Sequence, residues 1–209
     1  MREAEKIGFL TKAVNTAYDP LWESFRSGNT AAFEEIFRLY YPVLFNYGMR
    51  LSGNEAEVKD CIQSLFLQIW ERREFLGQTT SLRHYLQASL RRALLKKISI
   101  ERHGNVGEDM PDFQVELSIE AHLIRDQTES ENARLLVQAF DQLPPRQKEA
   151  IFLRFYEEQD FHDIANTMNI SIRAVYKLIY KGLDNLQSHL VQSNIDLSFL
   201  LVLFLVTLV

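Results

Sequence analysis

Apolar residues recur along this chain at every third and fourth position, the spacing of one face of a helix. Phe33, Ile36, Phe37, Tyr40 and Leu44 make one such stripe. Thr30 is placed to cap it, Glu34 and Glu35 suit the positive end of the helix dipole, and Pro42 predicts a kink or an interruption. Asn54 and Glu57 have the spacing of a capping box, and Val58, Ile62, Leu65 and Ile69 form the next stripe. The opposite side of that helix carries Asp60, Gln63, Leu67 and Trp70, with Phe66 at the border. Bulky apolar groups beside a carboxylate and an amide fit a surface made for a partner, or equally a helix buried on two sides. A third stretch, SLRHYLQASLRRALLKKI, turns Leu82, Tyr85, Leu86, Leu90 and Leu94 inward. Its Arg83, His84, Tyr85, Arg91, Arg92 and Lys96 form a basic-aromatic surface suited to melted or single-stranded DNA, although a basic helix face is usually just solvated.

The stretch FHDIANTMNISIRAVYKLIYKGL, from Phe161 to Leu183, carries the sharpest local signal. Phe161, Ile164, Ala165 and Met168 share one helical face. Asn169 is a residue type that tolerates the left-handed conformation of a tight turn, Ile170 can plug the corner, and Ser171 is a good cap for a second helix. Ile172, Val175, Ile179 and Leu183 make the second apolar stripe, while Arg173, Lys177 and Lys181 sit four apart on another face. Small Ala165 allows the two helices to cross closely. The pattern predicts a helix-turn-helix whose second helix enters the major groove. A plain helical hairpin with a solvated cationic face is the competing reading.

Composition and charge set the organisation. The chain has 209 residues, few Gly and Pro, and no convincing strand alternation, so the expected class is all-α. The single Cys61 excludes an intramolecular disulfide and a Cys-rich metal site, and it lies within a helical pattern as a packing residue in a reducing compartment. The N-terminus lacks the apolar core of a secretory signal. The formal net charge is −5, yet it is unevenly spread. Arg83 to Lys97 holds five basic residues and no acid, whereas Glu108 to Glu131 holds eight acids and Arg125 alone among bases. With Gly104, Gly107 and Pro111, that acidic stretch reads as a linker. The expected organisation is an N-terminal extension (residues 1–20), a helical domain (21–103), an acidic linker (104–132), a helix-turn-helix domain (133–192) and an apolar tail (193–209).

In order along the chain stand VKDCIQSLFLQIWERR, SLRHYLQASLRRALLKKI, the acidic linker, LPPRQKEAIFLRFYEEQDFHDIA and MNISIRAVYKLIYKGLDNL. This order resembles the extracytoplasmic-function sigma factors of bacterial RNA polymerase over roughly residues 21–190. The Asp60–Gln63–Phe66 spacing, the Leu143-Pro144 start with Arg146, and the later Leu153-Arg154 carry the resemblance together. Val175-Tyr176-Lys177 is similar to the recognition-helix form of members found in Bacteroidetes-type bacteria.

The resemblance implies a role for each part. Asp60, Gln63, Phe66 and Trp70 would dock on the clamp helices of the polymerase β′ subunit, and the second domain would meet the β flap. Arg83, His84, Tyr85, Arg91, Arg92 and Lys96 would hold the −10 promoter element and help separate its strands, with the loop around Gly77–Thr80 as a candidate pocket for an extruded base. Ser171, Arg173, Tyr176, Lys177 and Lys181 would read the −35 element. The acidic linker would thread the polymerase cleft, where a negative chain imitates nucleic acid. Arg92 departs from the family, which often has Asn there, and this bears on −10 preference. An anti-sigma factor and a cytoplasmic location, membrane-associated when held inactive, are implied as well. No cofactor, metal or catalysis is implied.

The end of the chain, IDLSFLLVLFLVTLV, stands outside the resemblance. As a helix it would span about 22 Å against about 30 Å for a bilayer core, with no basic flank. Three readings stay open: packing back onto a domain to hold the factor closed, engagement of a membrane or a membrane-bound anti-sigma protein, and an atypical terminus. For the whole chain the rival class is a helix-turn-helix regulator with a helical sensor domain, in which the Asp60–Gln63–Phe66 face has no role. An enzyme is the third class: His84, His103, His122, His162 and His189 are scattered, and no metalloprotease or phosphate-loop motif occurs.

Overall fold

The computed structural model describes residues 20–79, 81–101, 112–114 and 135–192. Every regular element among them is helical, so the all-α class is the one observed. They cluster into two compact units. One holds the described residues up to Glu101 except Arg50–Gly53; the other holds that short stretch and the described residues beyond Glu101. The first 19 residues, most of the acidic linker and the apolar tail lie outside the described residues.

In the first unit, α1 is Pro20–Arg26, α2 is Thr30–Ser52, α3 is Glu55–Glu71, a short 3-10 turn follows at Arg73–Phe75, and α4 is Leu82–Glu101. The cap of α2 lies one residue earlier than the sequence implied. Asn29 Oδ1 accepts the amides of Ala31 and Ala32 at 2.9 and 3.2 Å, and Thr30 is already helical. Nor does Pro42 interrupt α2. It sits on an exposed position, where water can serve the carbonyl that loses its amide partner. Asn54 caps α3 as expected, accepting the amides of Ala56 and Glu57, and the return contact joins side chains, the Asn54 Nδ2 donating to Glu57 Oε1 at 2.8 Å.

The core follows the predicted stripes except at Phe37, which is exposed, and Tyr85, which is half-exposed. Val58, Ile62, Leu65 and Ile69 of α3 are buried, as are Leu82, Leu86, Leu90 and Leu94 of α4. Each leucine contributes roughly 1.5–3 kcal/mol by leaving water. An aromatic cluster of Trp22, Phe25, Phe33, Phe66 and Trp70 closes the other side of α3, with ring centroids 4.9 to 6.2 Å apart.

In the second unit residues 135–141 form α5. Then come α6 (Pro145–Ile151), a π-helical turn (Phe152–Tyr156), α7 (Phe161–Met168) and α8 (Ile172–Gln192). Pro145 starts α6 where its missing amide costs nothing. The Glu157 amide reaches back five residues to the Phe152 carbonyl at 3.1 Å, and left-handed Glu158 (φ 54°) follows the wide turn. Gln159 then joins the turn to α7: its amide donates to Leu153 O, its carbonyl accepts from Arg154 Nη1 at 2.9 Å, and its side chain accepts from Thr167. The described fragment of the linker belongs to this unit. Phe113 is buried with its ring 5.4 Å from that of Phe152, and Asp112 pairs with the buried Lys148 at 2.8 Å.

Gly48 lies inside α2, where Gly is unfavourable by itself. A Cβ there would stand 2.7 Å from Val58 Cγ1 and 3.3 Å from its Cγ2. Both methyls of a stiff β-branched side chain face the glycine, so neither can swing away. Gly48→Ala is therefore expected to destabilise the protein by roughly 1–3 kcal/mol despite about 1 kcal/mol of gained helix propensity. A denaturant titration measures this, and the loss should shrink in a Val58→Ala background.

Candidate functional site

Two surfaces carry the chemistry, one on each unit. The turn between α7 and α8 is built as its sequence requires. Asn169 takes the left-handed conformation (φ 53°, ψ 52°), and the Ile170 amide returns to the Ala165 carbonyl at 3.0 Å. Asp160 caps α7 through the Asp163 amide, and Ser171 Oγ accepts the Ala174 amide at 3.2 Å to cap α8. Ile164, Ala165 and Met168 of α7 are buried, as are Val175, Ile179, Leu186 and Leu190 of α8. Ile172 departs from its expected place in that stripe and is exposed, because the buried stripe of α8 starts one turn later. Ser171, Arg173, Tyr176, Lys177 and Lys181 are all exposed, so the five predicted reading residues share the solvent side of one short segment.

The sequence reading missed Tyr180. It is exposed and its ring lies parallel to that of Tyr176, with centroids 6.1 Å apart. The repeated pair Tyr176-Lys177 and Tyr180-Lys181, four residues apart, was the signal that could have found it. At the start of α7, Asp160, His162 and Asp163 bring possible ligand atoms within 4.8 Å of one another. Asp160 is engaged as a helix cap, and the positive helix end repels a cation, so this cluster is better read as capping chemistry.

On the first unit a groove of about 460 Å³ runs between α3 and α4. Arg72, Arg92, Lys96 and Lys97 line it beside Asp60, and Tyr85 closes one end. Lys97 pairs with Asp60 at 3.4 Å. Partial burial alone would lower the Lys97 pKa, but the hydrogen bond to Asp60 and the nearby carboxylates outweigh it and raise the pKa above the usual lysine value. The ammonium is thus held charged. Before the groove, Trp22 Nε1 donates to the Gly77 carbonyl at 3.1 Å and anchors the loop that enters α4. Thr79 and Ser81 exchange hydrogen bonds there, and Ser81 Oγ accepts the His84 amide. Thr80, the last residue of the expected pocket loop, lies outside the described residues.

Two predicted site residues require correction. Phe66 is only 2% exposed, with its ring 4.8 Å from Phe37 and 6.0 Å from Phe33. It is a packing residue, and the neighbouring apolar side chain exposed to solvent is Leu67, 62% exposed. Arg91 is 5% exposed and lies on the buried side of α4, so it does not share the open cationic face of Arg92 and Lys96. Trp70 is half-buried in the aromatic cluster, with the Arg73 guanidinium 4.7 Å above its ring. Asp60 and Gln63 are exposed, and Arg83, His84 and Tyr85 are half-exposed.

Comparison with known proteins agrees with this division. The sigma-70 region 2 model matches residues 36–103, and the sigma-70 region 4 model matches residues 133–186. The RNA polymerase sigma factor CarQ of Myxococcus xanthus is 24% identical over 84% of this chain and 99% of its own length. The ECF RNA polymerase sigma factor SigL of Mycobacterium tuberculosis is 28% identical over 48% of this chain and 64% of its own. Among solved structures, CnrH in complex with the cytosolic domain of CnrY superposes with a TM-score of 0.55 at 17% identity, covering 84% of this chain and 97% of that one. The sigma factor RpoE of Bartonella quintana gives 0.52 at 18% identity, covering 76% and 96%. The chain belongs to the sigma-70 family, in its extracytoplasmic-function group, the initiation factors that direct RNA polymerase to promoters. Factors of this kind act without catalysis of their own. Among the described residues no helix is long and apolar enough to cross a membrane.

The left-handed turn gives a direct test. Asn169→Ala is expected to cost about 1–2 kcal/mol, because a Cβ without a compensating side-chain bond is strained there, whereas Asn169→Gly should be nearly neutral. Thermal unfolding of the two variants beside the parent protein distinguishes them.

Proposed function

We propose that the chain binds core polymerase through the exposed side of α3 and holds two promoter elements, one with each unit. On α3 the contacts are Asp60, Gln63 and Leu67, supported from beneath by Phe66 and Trp70. On α4, Arg83, His84, Tyr85, Arg92 and Lys96 engage the −10 element and assist strand separation, with the Gly77–Thr79 loop as the place for an extruded base. Ser171, Arg173, Tyr176, Lys177 and Lys181 read the −35 element. The observation that carries this reading is the helix-turn-helix of α7 and α8, in which Ile164, Met168, Val175 and Ile179 are buried while Arg173, Lys177 and Lys181 stay exposed.

An anti-sigma partner follows by analogy. The Bartonella factor was solved in complex with the anti-sigma factor NepR, and this chain shares its fold. Such a partner would cover the same exposed faces that this reading assigns to polymerase and DNA, and would silence the factor by competition.

Binding to core polymerase tests the reading at its base. Asp60→Ala with Gln63→Ala should weaken capture of the core enzyme at least tenfold, the loss typical of central interface residues. Capture of the parent protein in no amount, together with a shift of free DNA, would instead favour a conventional regulator. For the second unit, Lys177→Ala with Lys181→Ala should flatten the salt dependence of holoenzyme binding by roughly one counterion per lysine removed. Equilibrium binding between low and moderate salt measures that slope.

A further inference from the structure

Four groups in the second unit form one column. The Arg154 guanidinium lies 5.4 Å from the centre of the Phe161 ring. Phe161 stacks on Tyr176 with centroids 4.1 Å apart and planes 11° from parallel. Tyr176 is in turn parallel to Tyr180 within 9°. Exposure rises along the column, from half-buried Arg154 and Phe161 to Tyr176 at 42% and Tyr180 at 59%. The inner end is fixed, since Arg154 donates to the Gln159 carbonyl at 2.9 Å and Phe161 follows directly on the α7 cap.

A tyrosine on an exposed helix face ordinarily samples several rotamers. A ring stacked at 4.1 Å removes that freedom for Tyr176 and leaves one face-edge pose beside Lys177. The lysines bring a DNA backbone close, and the two rings offer flat apolar edges with a hydroxyl at the tip. In the major groove the apolar feature that a ring edge can meet is the C5-methyl of thymine. Interior packing does not fully account for the outer two rings, because each keeps a substantial part of its surface in water.

We propose that Phe161 is a positioning residue for promoter reading: it holds Tyr176 in the pose that contacts a thymine methyl, and Tyr180 extends that contact by one helical turn. This rests on the reading of α8 as the −35-recognition helix.

The test uses holoenzyme formed from the full chain and core polymerase. A duplex pool randomised over the upstream element yields the preferred site. Each thymine in it is then replaced by uracil, which removes the methyl and leaves base pairing intact. The parent protein should lose about two- to tenfold in affinity at one or two positions, in keeping with the modest worth of a single apolar ring contact. Tyr176→Ala should bind thymine and uracil equally at one of them, and Tyr180→Ala at the next. Phe161→Leu should become as indifferent as Tyr176→Ala, with Phe161→Tyr restoring discrimination. Discrimination kept in full by Phe161→Leu, or absent from the parent protein, overturns the proposal. Thermal unfolding is recorded beside each variant, and if Phe161→Leu unfolds, Phe161→Met is read by the same criteria. Failure of the underlying reading shows separately, as unchanged upstream binding when Arg173, Lys177 and Lys181 are all replaced by Ala.

Discussion

A helix can offer a partner only the side that it does not bury, and this constraint shapes both units. On α4, Leu82, Leu86, Leu90 and Leu94 recur every fourth residue and are almost wholly removed from water. That ladder fixes the rotation of the helix about its axis. Arg92 and Lys96 are then left on the groove between α3 and α4, and Arg91, one residue from Arg92, is turned inward. A shift of the ladder by one position would exchange the two arginines. On α8 the same logic holds: burying Val175, Ile179, Leu186 and Leu190 leaves Arg173, Lys177 and Lys181 outside. The cationic faces are thus consequences of core packing, and a core substitution that rotates a helix would disturb binding before it abolished folding.

This dependence explains what the sequence could reveal. The turn at Asn169, the caps at Asn54 and Ser171, and the leucine stripe are local features, each set by residues within one or two turns. They were legible for that reason. Phe66 was not, because its position at the border of α3 is decided by rings on α2 that are about thirty residues away in sequence. Phe33 and Phe37 cover one side of it, and only then does it belong to the core. Arg91 is a similar case: it was grouped with the DNA-facing cations of α4, while the helix phase buries it. Tyr180 was visible in the repeated Tyr-Lys pair, but its meaning required the ring column that starts at Phe161. The cap of α2 moved by one residue, within the ordinary uncertainty of a helix end.

The acidic total of the chain is no obstacle to nucleic-acid binding. At physiological salt a charge is felt over about 8 Å, so a phosphate near α8 responds to Lys177 and Lys181 far more than to acids elsewhere. Several carboxylates are themselves engaged in ion pairs or caps. Asp60 pairs with Lys97, Asp112 with Lys148, and Asp160 caps α7. The pair at Asp60 is largely exposed, so it contributes little to stability. Its effect is on position, because it draws the Lys97 ammonium toward the groove that also holds Arg92 and Lys96.

On the proposed reading, each surface meets one promoter element. A short helix reads only a few base pairs, and a cationic groove on α4 attracts any strand. Joining two such modules on one chain changes the arithmetic, because binding of the first converts the second contact into an intramolecular event. The gain depends on both elements lying at a separation that the bound complex can span. Specificity then resides in spacing as well as in sequence, and each unit can stay weak enough to release the promoter once initiation is complete. The exposed side of α8 displays three cations and two tyrosines, with Ile172 as its exposed aliphatic residue. On the proposed reading, a partner that covered either face would remove the multiplied term.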